Sequence, residues 1–131
     1  MAQEEIQLLL KDLSARLMYG VMCQVDDGAA GLNDGKLIEI DISRELIRFD
    51  DDGYWDAYID DVKPYLRPMS SMTEEEREEL KQVALVDNEG VPGDIPAYID
   101  WLNKKMFDYR GLIPMGLALE APEGMYNIKE K

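Results

Sequence analysis

Across residues 3–18 apolar side chains return every three or four positions, at Ile6, Leu9, Leu10, Leu13 and Leu17, while Lys11, Asp12, Ser14 and Arg16 take the other side. This spacing predicts an amphipathic helix that packs on its own sheet, with Gly20 as its left-handed cap. The period then shortens to two. Val21, Cys23 and Val25 alternate with Met22, Gln24 and Asp26, and Ile38, Ile40 and Ile42 alternate with Glu39 and Asp41. Ile47 and Phe49 alternate with Leu46, Arg48 and Asp50, and Trp55, Ala57 and Ile59 with Tyr54, Asp56 and Tyr58. Each run predicts a strand with one buried face. The joints at residues 43–45 and 51–53 are of hairpin length, and residues 27–35 hold turn-forming Gly and Asn. The expected strand order therefore follows the sequence, as an antiparallel meander. Short, strongly twisted strands of this kind curl into a small SH3-like barrel with the first helix over an open end.

Residues 60–76 divide the chain into a β-like half and a helical half. Pro64 and Pro68 fix their own φ and push Lys63 and Arg67 out of the helical region, so residues 65–67 are expected as a short edge strand. Alternation along that strand points Leu66 into the barrel and Tyr65 and Arg67 outward. Ser71 with Glu74, and Thr73 with Glu76, both fit the capping box, so a helix is expected from Glu74 to about Leu85. Residues 87–93 break it. Asp94 can cap a further helix that tolerates Pro96 in its first turn and puts Ile95, Tyr98, Ile99, Leu102 and Met106 on one face. Residues 112–119 are apolar but interrupted by Pro114 and Gly116, which predicts an irregular tuck against the core, and residues 122–131 are expected to be loosely held. The whole reads as one α+β domain over residues 1–131, with a helix-plus-meander part at 1–68 and a helical part at 69–131.

Composition narrows what such a domain can do. At 131 residues and 46% hydrophobic content, the chain supports one core that buries roughly two thirds of its unfolded surface. Its 28 acids against 14 bases give a net charge of −14, shared by both halves. Such a body repels phosphate backbones and anionic membranes, which argues against direct nucleic-acid or membrane binding and favours solubility or basic partners. No basic leader precedes an apolar core, and no apolar run approaches the roughly 20 residues that span a bilayer, so a cytoplasmic protein is expected. Cys23 is the single cysteine, which excludes an intrachain disulfide and agrees with a reducing compartment.

The chain contains no histidine, which removes Ser-His-Asp, Cys-His and His-metal chemistry. Cys23, without a base, reads as a small buried hydrophobe. The acidic turn at residues 48–56 resembles a calcium loop only in part: with Gly53 at the sixth position, Arg48 falls first and Ile59 twelfth, where carboxylates are required. No catalytic, cofactor-binding or metal residue is assigned, although two carboxylates can still meet in the fold. The basic and aromatic residues around the dividing segment form a candidate partner surface: Lys63, Tyr65, Arg67, Trp101, Tyr109 and Arg110. The plainer alternative is that Tyr65 and Trp101 pack the two halves together while the basic residues pair with local acids.

The string from Lys63 to Glu76, the string Asp100-Trp101-Leu102-Asn103 with residues 107–113, and residues 116–126 resemble a recurring family of small acidic proteins from gut-bacterial genomes and their phages. The resemblance covers roughly the second half of the chain. It implies a phage-related or other mobile-element setting and supplies no catalytic residues. The expected function is thus a non-enzymatic cytoplasmic module that binds another protein, its oligomeric state open. Two alternatives stand beside it: a histidine-free enzyme working through carboxylates, and an acidic decoy for a nucleic-acid-binding protein. The decoy requires surface carboxylates in rows roughly 6–7 Å apart, like phosphates along a strand.

Overall fold

The computed structural model describes residues 1–126. Helix α1, Gln3–Arg16, buries Ile6, Leu9, Leu10 and Leu13 as their spacing requires, and continues as a 3-10 turn to Tyr19. Gly20, at φ 76°, then turns the chain into the sheet. Six strands follow: β1 Met22–Asp26, β2 Leu32–Asp41, β3 Leu46–Asp50, β4 Tyr54–Tyr58, β5 Val62–Leu66 and β6 Leu119–Glu120. Their order is β4-β3-β2-β1-β5-β6, antiparallel throughout except for the parallel β5–β6 pair.

Four expectations change. The sheet does not close into a barrel: no ladder joins β4 to β5 or β6, so among the described residues β4 remains an edge. It is mixed rather than antiparallel, because β6 arrives from the far end of the chain. β1 to β4 do follow the sequence order as an antiparallel meander, but β5 does not, since a 3-10 turn at Ile59–Asp61 carries the chain across from β4 to a place beside β1. Finally, β5 is an inner strand despite Pro64. Cys23 pairs with Pro64, and β6 begins pairing only at Tyr65, so no neighbour needs the missing Pro64 donor. β2 is also longer than its isoleucine run, taking in half of the expected loop and carrying a bulge between Leu37 and Glu39.

The C-terminal half is only partly helical. Among the described residues it holds two ten-residue helices, α2 Glu74–Val83 and α3 Ile95–Lys104, the short strand β6, and otherwise turns and irregular chain. Thr73 and Glu76 form the capping box of α2, whereas the Ser71 hydroxyl donates to Pro68 O at 2.7 Å and makes a separate 3-10 turn. Asp94 caps α3 by accepting from Ala97 N at 3.1 Å. One core lies between α1 and one face of the sheet; a second, of Leu80, Ala84, Trp101, Leu102 and Phe107, lies between α2 and α3. The chain end is held tighter than expected as far as Tyr126, whose hydroxyl accepts from Met22 N at 2.7 Å and donates to Tyr65 O at 2.8 Å. The rest of that expectation, residues 127–131, lies outside the described residues.

Candidate functional site

Residues 106–113 run between the two cores and gather charged side chains around themselves. Arg67 N donates to Met106 O at 2.7 Å and Asp108 N to Arg67 O at 2.8 Å, which ties this segment to the end of β5. From α1, Arg16 Nη2 donates to Phe107 O at 2.6 Å while its Nε donates to Asp12 at 3.0 Å; both side chains are fully buried. Asp12 also accepts from Arg110 Nε at 3.0 Å. The Asp108 carboxylate accepts from Leu112 N and Ile113 N at 2.8 and 2.9 Å, closing the turn that follows. Asp12 and Arg16 escaped notice because they read as the polar face of α1. Each lies three positions after a buried leucine, Leu9 or Leu13, and that phase was the available signal.

The six candidate partner residues do not share one exposed patch. Lys63 is exposed on β5. Tyr65 is buried and donates to Asp34 at 2.7 Å. Arg67 makes a two-pronged ion pair with Glu76, both bonds 2.8 Å, with its guanidinium 4.2 Å from the Phe107 ring centre. Trp101 is buried and stacks on Phe107 at 5.8 Å. The Tyr109 hydroxyl donates to Asn103 at 2.8 Å and accepts from Arg110 Nη2 at 3.0 Å. Arg67, through Glu76, and Arg110, through Asp12, thus bind the halves to one another, while these side-chain contacts of Tyr65, Trp101 and Tyr109 stay within one half. Burial works to raise the Glu76 carboxyl, but Arg67 and the Thr73 N–H outweigh it and hold that carboxyl below its ordinary value.

Cys23 lies in the core at zero exposure, and burial, reinforced by the charge of Asp12, pushes its thiol up to about 12. A thiolate nucleophile does not form there near neutral pH. On the acidic turn, Arg48 Nε donates to Asp56 at 2.9 Å, and no group of three or more potential ligands that could hold a metal ion occurs among the described residues. No helix of the described chain is long and apolar enough to cross a membrane. A cleft of ≈ 680 Å³ opens beside the start of α2, with Arg67, Glu76, Lys105, Glu120 and Glu123 on its wall. Glu76 is committed there to Arg67.

A different surface is left open at β4. Trp55 and Ala57 turn partly inward, with Trp55 against Phe49 at 4.3 Å between ring centres. Tyr54 and Tyr58 stand out from the other face at 72% and 64% exposure, with Asp56 between them. Beside the strand runs a groove of ≈ 380 Å³, walled by β4, by Val25 to Gly28 at the end of β1, and by Asp61. Sequence reading placed β4 correctly as a strand but took it for part of a closed barrel, so its edge went unnoticed. No family model, curated protein or solved structure matches the chain.

Proposed function

We propose that the protein is a non-enzymatic cytoplasmic binding module that meets another protein through the open edge of β4. The observation that carries this reading is a strand whose outer edge has no partner among the described residues and which carries two tyrosines more than half exposed, since soluble proteins ordinarily blunt such edges with lysine, proline or a covering loop. The strand order, and the 3-10 turn between β4 and β5, resemble an SH3-like barrel left open on one side. The second-half strings that resemble small acidic phage-related proteins support a mobile-element setting.

The acidic decoy has less support. Arg44, Arg48, Arg77, Lys81 and Lys105 lie in ion pairs among the surface acids, giving mixed-sign patches rather than phosphate-like rows. A carboxylate enzyme is favoured only by the larger cleft, and an acid paired to arginine is a poor proton donor. Photo-crosslinking in cells tests the binding reading. A benzophenone side chain at Tyr58 should give discrete protein adducts, one at Lys11 on the exposed side of α1 should not, and Asp56→Pro should abolish the first set. Adducts equal at both positions, or absent from both, would overturn it.

A further inference from the structure

We infer that the β4 edge takes a basic, extended peptide segment as an added strand, with alternate lysine or arginine side chains entering the acidic groove. This rests on the binding reading above and adds the chemistry of the partner. The bonds Asp51 N to Gly53 O and Ile59 N to Glu45 O, both 2.9 Å, bracket the β3–β4 ladder, and the register between them pairs Trp55 with Phe49 and Ala57 with Ile47. In an antiparallel ladder every second residue exchanges bonds with the partner. Trp55 and Ala57 therefore spend their N–H and C=O groups on β3, whereas those of Tyr54, Asp56 and Tyr58 point outward. A strand laid along this edge meets three consecutive donor and acceptor pairs already in extended geometry.

Side-chain alternation then sorts the guest. Its residues level with Tyr54, Asp56 and Tyr58 lie on the tyrosine face, and those between lie on the groove side. Asp26, Asp27, Asp56 and Asp61 line the groove, with no lysine or arginine among its described lining residues, the Asp56 carboxylate itself lying on the tyrosine face against Arg48. Only Asp56 of these is in an ion pair among the described residues. Asp26 accepts the N–H of Gly28 at 2.9 Å, which fixes the wall without neutralising it. A second copy of the chain is a poor occupant: antiparallel pairing centred on Asp56 sets that residue against itself, and each copy brings a net charge of −14. A basic strand removes both repulsions. The same charge that discourages self-pairing thus selects the guest.

The test uses the full chain and a labelled acetyl-Lys-Val-Lys-Val-Lys-Val-Lys-amide peptide, read by fluorescence anisotropy and by amide hydrogen exchange. Binding should slow exchange at the N–H groups of Tyr54, Asp56 and Tyr58. It should disappear when alternate peptide nitrogens are methylated on the bonding edge. Asp27→Asn with Asp61→Asn, both exposed positions, should weaken it by about tenfold and flatten its salt dependence. Failure of the lysine peptide to bind, equal binding of a Glu-Val counterpart, or indifference to N-methylation would overturn the inference. If the lysine peptide fails while Tyr58 still crosslinks to protein in cells, the basic-strand chemistry falls and the binding reading stands.

Discussion

At the scale of single residues, Arg67 decides how the dividing segment works. With side-chain exposures of 15% for Arg67 and 8% for Glu76, the pair is largely withdrawn from water. Arg67→Ala should therefore strand a buried carboxylate and destabilise the fold by about 3–5 kcal/mol, at least as much as the about 2–4 kcal/mol expected for the cavity left by Leu66→Ala. Urea denaturation of the two variants compares them directly. Joint replacement by Arg67→Met and Glu76→Met should recover most of the loss, because no charge is then left unpaired. The Glu76 carboxyl is depressed in the folded state, so its contribution is present above the ordinary value of 4.5 and is lost as pH falls through the depressed one. Wild-type stability should show that acid-side decline, and Arg67→Ala should show less of it, because only the Thr73 bonds then hold the carboxyl down. Cys23, its thiol raised by burial, should resist iodoacetamide in the native protein and react on unfolding. Alternation along 65–67 foretold the inward turn of Leu66. It missed Tyr65, which is buried two residues past the exposed Lys63 on the same face, and Arg67, which lies beyond the end of β5 and is covered by Glu76 of α2 and by residues 106–108.

At the scale of elements, what was legible is what is local. The heptad-like stripe of α1, the Thr73 and Asp94 caps and the period-two runs of β1, β3 and β4 each follow from neighbours a few residues apart, and the structure holds all of them. What was not legible depends on partners far along the chain. β5 became an inner strand through β6, and residues 106–113 became a hub through α1. Gly35 shows the limit well: its turn-forming character suggested a loop, yet it lies within β2 because the ring of Phe49 fills the space a side chain would need. A Cβ there would stand 2.6 Å from Phe49 Cδ2. Since Phe49 is fully buried, Gly35→Ala should cost about 1–3 kcal/mol through overpacking of the β2–β3 ladder, visible as a lowered thermal midpoint without change in secondary structure.

For the whole molecule, the sequence boundary at residue 68 does not mark a unit that can stand alone. Asp12 and Arg16 have zero exposure, and their partners Arg110 and Phe107 lie beyond that boundary. A fragment of residues 1–68 should remain unfolded by circular dichroism, because the Asp12–Arg16 pair would lose Arg110, the Phe107 carbonyl and the segment that covers it. The full chain should unfold in one transition that tryptophan fluorescence and far-ultraviolet dichroism report together.

The Tyr126 hydroxyl, set between Met22 N and Tyr65 O, joins positions 104 residues apart. Since the ribosome delivers the chain from the N-terminus at about 5–20 residues per second, β1 waits about 5–20 s after its own emergence for the group that completes its junction with β5. Through that interval the early strands are exposed to water, chaperones and neighbouring nascent chains. Maturation is thus timed by translation, and stalled ribosomes carrying the chain only to Lys104 should present a protease-sensitive β half that becomes resistant once Tyr126 has left the ribosome.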